Sequence, residues 1–259
     1  MIMLKLYKKM GETPLECLGR LQADNPKYED VKLTYAGRLD PMAEGELLVL
    51  VGEECKDKDK YLGLDKEYEF EVLFGFETDT YDILGLLRES AYSVGGVQAF
   101  EVGREDYDVG RHQGKMERFL ESIKGKQMQK YPAFSSKTIE GKPMFELAKV
   151  GKLEGKEIPK REIEIYEADF IKSYWITGSD LKTDVLKRIL LVKGDFRQDE
   201  ILEKWENALV GKNKEQFLVS RLKIKCSSGT YVRGLVNSLS ERLSYPALAL
   251  KIKRLKIFD

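Results

Sequence analysis

The sequence predicts an α+β protein in which a mixed, mostly antiparallel sheet is flanked by helices and loops. Three observations support this fold class. Segments with strand-like alternation are spread over the whole chain, amphipathic helical patterns lie between them, and the two do not follow each other in regular βαβ order. The 259 residues, 42% of them hydrophobic, contain no internal repeat and no linker rich in proline, glycine or serine. We therefore expect a single domain.

The N-terminal elements are predicted from local patterns. MLKLYKK alternates apolar and basic residues, which is typical of a strand. Thr13 and Pro14 favour a helix N-cap followed by proline in the first turn, and regularly spaced leucines extend this helix to about residue 23. The stretch YAGRLDPMAEGELLVLVG, residues 35–52, joins a charged corner to an uninterrupted apolar run. That run predicts a buried strand or helix.

The middle of the chain contains a second strand and two helices. Residues 66–79 alternate strictly and predict a half-buried strand, whereas residues 77–108 are acidic and are not expected to face a phosphate backbone. KMERFLESIKGK predicts a short helix that ends near Gly125. A polar loop then leads through a turn at 140–141 to a helix that begins near Pro143.

The C-terminal half is predicted to add three strands and three helices. REIEIYEADFI, QFLVSRLKIKCSSG and the basic LALKIKRLKIF have strand-like patterns, and TYVRGLVNSLSERL predicts a helix after a glycine hinge. Between residues 180 and 209 lie two amphipathic helices, LKTDVLKRILLV and DEILEKWENALV. Their charged faces are typical of packing helices, and we assign them no chemistry.

Charge and rare residues exclude several kinds of site. Lysine plus arginine (44) equals aspartate plus glutamate (44), so only local patches can attract a polyanion. Cys17, Cys55 and Cys226 lie far apart and in none of the spacings of a zinc site or a thiol redox pair. His112 is the one histidine, so no serine–histidine–aspartate triad can be assembled without it. No signal peptide and no run of roughly 20 apolar residues is present. We expect a cytoplasmic protein with no metal and no membrane partner.

Three residues, Asp40, Arg233 and Tyr68, are candidates for catalysis or substrate binding. Asp40 follows the charged corner and would be costly to bury without a partner, although an Asp-Pro turn with a surface carboxylate also fits. Arg233, in CSSGTYVRG, is either solvated or placed to hold a carboxylate ionised. Tyr68, within the alternating strand, is either a core aromatic or a surface on which a base stacks.

Two basic patches are present, and either one alone is typical of a solvated face. Together they make a nucleic-acid groove more plausible, because one of them carries two aromatic residues, Tyr131 and Phe134. The first patch surrounds YPAFSS and consists of Lys124, Lys126, Lys130, Lys137 and Lys142. The second lies at the C-terminus and consists of Arg242, Lys251, Lys253, Arg254 and Lys256.

Five blocks, in the same order and over almost the entire chain, resemble the TruB family of tRNA pseudouridine synthases. LKLYKKMGETPLECLGRL is similar to the family's opening strand, turn and helix, and AGRLDPMAEGELLVLVGEECK to its catalytic motif. KEYEFEVLFGFETDTYDILG resembles the block with the active-site tyrosine. YPAFSSKTIEGKPMFELAKVG resembles the RNA-clasping thumb segment, and CSSGTYVRGLVNSLSERL the block with the arginine that pairs with the catalytic aspartate.

The resemblance implies the pseudouridine synthase fold and roles for particular residues. Asp40 would be the catalytic carboxylate, Tyr68 would lie against the target base, and Arg233 would pair with Asp40. Leu235 and Ile252 match apolar positions that form the walls of the pocket. The residues expected to contact RNA are Tyr35, Arg38, Lys137 and Arg254.

The implied reaction isomerises the T-arm uridine at tRNA position 55 to pseudouridine. Uracil leaves carbon 1 of its ribose and is rejoined through its carbon 5, a change without net oxidation, so neither cofactor nor metal is required. An ionised aspartate suffices if an arginine offsets its desolvation. The base must leave its stack to reach the aspartate. We expect a monomer that binds the T-arm of tRNA.

Some features depart from the family's pattern. Tyr35 stands where the family usually has a histidine, and Arg38 makes GRLD similar to related synthases that act mainly on ribosomal RNA. The helical connection near 173–214 is longer than usual, while the thumb-like RNA-binding segment is expected near 124–150. The chain stops soon after the last basic strand, so we expect no C-terminal PUA domain. Two alternatives stay open: a synthase of ribosomal or other RNA, and a non-catalytic module that binds or helps to fold RNA.

Overall fold

The computed structural model describes residues 3–88 and 109–258, and one eight-stranded sheet runs through them. The strands, in chain order, are β1 (Met3–Lys8), β2 (Leu33–Ala36), β3 (Ala43–Val51), β4 (Asp65–Phe74), β5 (Gly125–Lys130), β6 (Thr138–Ile139), β7 (Lys142–Pro143), β8 (Lys160–Thr177), β9 (Gln216–Cys226) and β10 (Ala247–Phe258). The helices are α1 (Pro14–Asp24), α2 (Val109–Ser122), α3 (Met144–Lys149), α4 (Gly178–Ile189), α5 (Gln198–Ala208) and α6 (Val232–Leu243), with 3-10 helices at Pro26–Tyr28 and Gly52–Tyr61.

Eight strands form the sheet in the order β1-β3-β10-β4-β9-β8-β5, with β2 paired to β3 beside this path. Every pair of neighbours among these described strands is antiparallel except β3 and β10, which are parallel. The predicted α+β fold with a mixed, mostly antiparallel sheet is therefore confirmed. The short strands β6 and β7 form a separate hairpin.

The apolar run that follows the charged corner is strand β3, which is covered on both faces. Leu47 and Val49 pack in the cluster that contains α1, whereas Leu48 and Leu50 pack with Ile257 of β10. A strand with two covered faces has no place for a polar side chain, which explains the uninterrupted run. Helix α1 begins as predicted, because Thr13 and Glu16 form a reciprocal capping box.

Helices cover the two faces of the sheet. Helices α2 and α6 pack on the face that carries Tyr68 and Phe70, and α4 and α5 pack on the opposite face around Leu73. Ile201 and Trp205 of α5 are fully buried, so the two helices predicted to serve packing do so. No helix within residues 3–88 and 109–258 combines the length and the apolar character needed to cross a bilayer.

One segment differs from the sequence-based prediction, and most of another lies outside the described residues. The predicted polar loop after α2 begins with β5, an edge strand paired with β8. Its polar residues fit an edge position, where one side of the strand faces water. Most of the acidic segment 77–108 lies outside the described residues.

Candidate active site

The centre of the site is an ion pair between Asp40 and Arg233. Asp40 lies in the corner between β2 and β3, and Arg233 lies in the first turn of α6. Arg233 Nε donates to Asp40 Oδ2 over 2.8 Å. The arginine side chain is 4% exposed and the aspartate side chain 39%, so the guanidinium is buried while the carboxylate reaches an opening. A buried arginine that donates to a carboxylate restricts the position of that carboxylate.

The remaining donors of Arg233 bind two loops. Nη1 donates to the carbonyl oxygen of Thr80 over 2.7 Å, and Nη2 to that of Phe134 over 3.3 Å. Nε also lies 3.6 Å from Asp82 Oδ2. Burial alone would lower the pKa of Arg233, but the charges of Asp40 and Asp82 outweigh it, and the pKa is raised. Arg233 is therefore a permanent cation with acceptors on three sides.

Asp82 is a second buried carboxylate, which sequence reasoning missed. It is 5% exposed, and its Oδ1 accepts from Thr80 Oγ1 over 2.7 Å and from the Leu84 amide over 3.0 Å. Burial raises its pKa, although Arg233 and the hydrogen bond from Thr80 act against that rise. Its signal in the sequence is the polar stretch TDTYD directly after a buried strand. Asp82 therefore adds a second negative charge beside the Nε of Arg233 that donates to Asp40.

A buried lysine anchors the corner that carries Asp40. The side chain of Lys8 is fully buried, and its Nζ donates to the carbonyl oxygens of Lys9, Glu12 and Pro41 over 3.0, 2.6 and 3.4 Å. The amide of Gly11 donates to the same Pro41 oxygen over 2.9 Å. Burial lowers the pKa of Lys8 to about 8, against the nearby charges of Glu12 and Asp40. The turn after β1 thus fixes the residue that follows Asp40.

Arg254 holds the same corner from the sheet side, which differs from its expected place on an RNA-binding surface. It is 1% exposed and donates to the carbonyl oxygens of Glu46, Arg38 and Gly37 over 2.7, 3.1 and 3.3 Å. Arg254 shares its side of β10 with Ile252, and alternation along the strand directs both inward. In this structure Arg254 orders the loop beside Asp40 and does not present a cation to solvent.

Tyr68 lies on β4 next to the ion pair, in the middle of the core that α2 and α6 cover. It is 7% exposed and shares one apolar cluster with Leu39, Leu235 and Ile252. Burial raises the pKa of Tyr68, with Arg254 acting in the opposite direction and Asp40 adding to the rise. The hydroxyl is therefore neutral at physiological pH. The predicted apolar positions 235 and 252 both lie in the wall that contains this ring.

The residues predicted to contact RNA lie in different environments. Arg38 is exposed, two positions from Asp40, and Tyr35 is half-buried on β2 with Lys58 Nζ 5.1 Å from its ring centre. Lys137 is exposed in the loop before β6, with its Nζ 5.5 Å from the ring centre of Tyr131. These side chains occupy accessible positions where an RNA strand can reach them.

An aromatic pair that the sequence did not predict adds to the site. Tyr131 and Tyr231 make an edge contact with ring centres 5.7 Å apart. Gln129 of β5 fixes Tyr231: its amide donates to the carbonyl oxygen of Tyr231 over 2.9 Å and accepts from the Tyr231 amide over 2.9 Å. Burial raises the pKa of Tyr231, and Asp40 adds to the rise. Tyr231 therefore lies near the carboxylate, and the ring of Tyr131 packs against it.

The chemistry available to these residues is that of a carboxylate beside a cation and apolar walls. In the part of the chain that the structure describes, no three histidine, cysteine, aspartate or glutamate side chains are grouped so that they could hold a metal ion. Asp40 can act as a nucleophile or stabilise positive charge on a sugar, and Arg233 keeps it oriented. Aromatic rings beside it offer a stacking surface for a base.

Comparison with known proteins identifies the family. The sequence model of the TruB family pseudouridylate synthase (N terminal domain) matches residues 26–186, more than half of the chain. The chain belongs to the TruB family. The matched region includes Asp40, Tyr68 and Asp82, while Arg233 lies C-terminal to it.

Relatives of this TruB chain match it along most of its length. The tRNA pseudouridine synthase B of Borrelia garinii is 30% identical over 255 residues, covering 98% of this chain and 68% of the relative. The proteins of the same name from Limosilactobacillus reuteri and Caldanaerobacter subterraneus are 27% and 29% identical, covering 98% and 90% of this chain and 66% and 61% of theirs. The chain spans about two thirds of the length of these curated relatives.

A solved structure supports the fold alone. A crystal structure of a Cbf5–Nop10–Gar1 complex contains a chain that superposes with a TM-score of 0.50 at 14% sequence identity, covering 98% of this TruB chain and 48% of the other. At that identity the similarity concerns the path of the backbone.

Proposed function

We propose that this TruB-family chain isomerises uridine 55 in the T-arm of tRNA to pseudouridine, with Asp40 as the catalytic carboxylate. The observation that carries the proposal is the 2.8 Å contact between Arg233 Nε and Asp40 Oδ2 beside the buried ring of Tyr68. A carboxylate held by a buried arginine at the mouth of an apolar, aromatic recess fits an uncharged pyrimidine. The names of the relatives supply the substrate class, tRNA.

The bond changes balance without an external reactant. The bond between carbon 1 of the ribose and the uracil nitrogen breaks, uracil turns, and a bond forms between that ribose carbon and carbon 5 of uracil. The proton displaced from carbon 5 is matched by a proton gained at the freed nitrogen. Asp40 either attacks the sugar or base covalently or assists departure of the base, and Arg233 keeps the carboxylate oriented through both steps.

The surrounding residues have distinct roles in this proposal. Tyr68 stacks on the flipped uracil, and Leu235 and Ile252 exclude water from it. Arg38 and Lys137 bind phosphates, while Tyr35 offers a ring to a neighbouring base. The 124–150 segment acts as a thumb on the RNA, and residues 173–214 are an insertion in one catalytic domain. We also propose that the chain acts as a monomer in the cytoplasm, where tRNA is found.

The decisive experiment incubates the protein with unmodified tRNA and locates pseudouridine by carbodiimide-dependent reverse-transcription stops. The wild type and the control Asp30→Asn, at an exposed aspartate, should give a stop at the T-arm uridine, and Asp40→Asn should give none while retaining RNA binding. A wild type that binds tRNA but modifies no RNA would contradict the proposal and leave a binding or folding role.

Arg38 favours one second candidate, a synthase of ribosomal or other RNA, because GRLD resembles the motif of synthases that act mainly on ribosomal RNA. The same assay on unmodified ribosomal RNA distinguishes the two. Stops on ribosomal RNA without a stop in the T-arm would replace the first candidate by the second.

A further inference from the structure

The loop between α4 and α5 brings a second arginine to the candidate active site. Arg197, the last residue before α5, donates from Nη1 to Asp79 Oδ2 over 2.7 Å and from Nη2 to Asp79 Oδ1 over 3.2 Å. Its Cζ also lies 4.4 Å from the ring centre of Phe134. One guanidinium thus contacts the loop after β4 and the loop after β5. A forked pair and a stacked ring are the two contacts that favour arginine over lysine.

The same two loops bind Arg233 from the inside. Arg233 donates to the carbonyl oxygens of Thr80 and Phe134. Thr80 follows Asp79 directly, and Phe134 supplies its carbonyl oxygen to Arg233 and its ring to Arg197. The two loops are therefore held between a pair of arginines, one of which orients Asp40. A displacement of either loop would remove an acceptor from Arg233.

The position of Arg197 is itself closely determined. Its backbone has a φ of 64°, a left-handed conformation that is unfavourable for a non-glycine residue. Gln198 holds the loop in this shape, because its Oε1 accepts from the Phe196 amide over 2.8 Å and its Nε2 donates to the Val192 and Gly194 carbonyl oxygens over 3.0 and 2.7 Å. Because these hydrogen bonds hold the loop in one shape, the position of Arg197 depends on the position of helices α4 and α5.

A second tie joins the same loop to the thumb-like segment. Lys149 of α3 donates from Nζ to the Asp195 carbonyl oxygen over 2.9 Å and to its Oδ2 over 3.0 Å. The loop therefore contacts the 124–150 segment at both Phe134 and Lys149. The contact at Lys149 is largely exposed at Asp195 and adds little energy by itself.

We propose that Arg197 is a positioning residue for the pseudouridine synthase site, through which the α4–α5 segment fixes the Thr80 and Phe134 carbonyl oxygens on Arg233. Arg197 does not touch the reacting atoms; it acts through the two loops and Arg233 on Asp40. This inference rests on the proposed function and assigns a purpose to the long helical connection. It predicts an effect on the rate of the chemical step and not on tRNA affinity.

The first test measures the loops without requiring activity. The Leu86 amide donates to Asp79 Oδ1 over 2.9 Å, and the Phe145 amide to the Ser135 carbonyl oxygen over 3.1 Å, so hydrogen exchange at these amides reports each loop. Arg197→Ala should accelerate hydrogen exchange at both amides by about tenfold, because the ion pair between Arg197 and Asp79 no longer opposes local opening of the loops. The control Lys182→Ala removes an ion pair with Glu206 between α4 and α5 and should change neither.

The second test measures single-turnover rates at saturating tRNA. The single-turnover rate of Arg197→Ala should be about tenfold lower than that of the wild type, because a small displacement of the Asp40 carboxylate slows the chemical step. The tRNA Kd of this variant should stay within twofold of the wild-type value. Arg197→Lys, which keeps the charge, should recover part of the rate, and it replaces the alanine variant should that variant fail to fold. Exchange and rate both within twofold of wild type would overturn the proposal. A wild type that modifies no RNA would overturn the proposed function, and the exchange experiment would still decide whether Arg197 braces the loops.

Discussion

Arg233 and Asp40 lie 193 positions apart in the sequence, and the guanidinium Nε of the first is 2.8 Å from Oδ2 of the second. The pair is asymmetric, because the arginine side chain is 4% exposed and the aspartate side chain 39%. Arg233 is thus part of the core, where Thr80, Phe134 and Asp82 surround it. Asp40 is the end of that network which a ligand can reach.

Removing Arg233 should impair both stability and activity. Arg233→Ala leaves the buried Asp82 without its cation, which typically destabilises a protein by about 3–5 kcal/mol. Arg233→Lys keeps a charge but cannot donate in the three directions of the guanidinium, so we expect at least a hundredfold loss of kcat for this variant. Urea unfolding and turnover on tRNA check both. Arg20→Ala, which breaks a partly exposed pair with Glu12, should cost less than about 1 kcal/mol.

Lys8→Met should loosen the corner that carries Asp40. The substitution leaves the carbonyl oxygens of Lys9, Glu12 and Pro41 without a buried donor, at a cost of about 1–3 kcal/mol in unfolding free energy. We expect a lower kcat with little change in tRNA affinity, measured by single-turnover and filter-binding assays. Lys9→Met, at the exposed neighbouring position, should behave like wild type. Equal effects of the two substitutions would contradict an anchoring role for Lys8.

His112 predicts a loss of stability in mild acid. Its Nε2 lies 2.8 Å from Ser220 Oγ, its ring packs edge-on against Phe74, and burial lowers its pKa from 6.5 to about 4. Between these two pH values the unfolded chain binds a proton that the folded chain does not, so the unfolding free energy falls as the pH falls. The expected loss from this group is about 3 kcal/mol between pH 7 and pH 4. Urea unfolding of wild type and His112→Gln at several pH values checks it: the variant should lack this part of the pH dependence.

The exposed cation beside the carboxylate should contribute to RNA binding through phosphate contact. Binding of tRNA should weaken as salt rises, and Arg38→Ala should reduce the slope of log K against log salt concentration by about 1. Lys187→Ala, on helix α4 at the opposite face of the sheet from Tyr68, should leave the slope unchanged. Titrations at four salt concentrations give these slopes. An affinity that does not respond to salt would count against phosphate contacts at Arg38.

Local sequence patterns were sufficient to predict the helices and strands. The arrangement of the candidate active site depends largely on contacts between residues that are far apart in the sequence. The capping box at Thr13 and the doubly covered strand β3 follow from neighbouring residues and from an uninterrupted apolar run. Lys8 and Asp82 acquire their roles in the site through contacts with Pro41 and Arg233, which are distant in sequence and which periodicity cannot detect. Arg197 is the clearest case, since its helical segment was expected only to pack.

Arg254 illustrates how a correct pattern led to an incomplete interpretation. LALKIKRLKIF alternates, and its charges predicted a basic surface. The same alternation places Arg254 on the side of Ile252, where it is 1% exposed, while Lys251 and Lys253 face outward. Burial of a guanidinium requires acceptors, and the carbonyl oxygens of Gly37, Arg38 and Glu46 provide them only after the corner has folded against β10.

The position of β10 between β3 and β4 affects the order in which the sheet can form during synthesis. Strand β10 is among the last of these 259 residues to leave the ribosome, yet it occupies the middle of the sheet between β3 and β4. Until β10 is synthesised, the corner around position 40 lacks the Arg254 guanidinium that fixes it. Strands β3 and β4 each have an edge that is not yet paired with β10. The corner around position 40 should therefore become ordered only after β10 has emerged, and the strands made before β10 should need protection during synthesis.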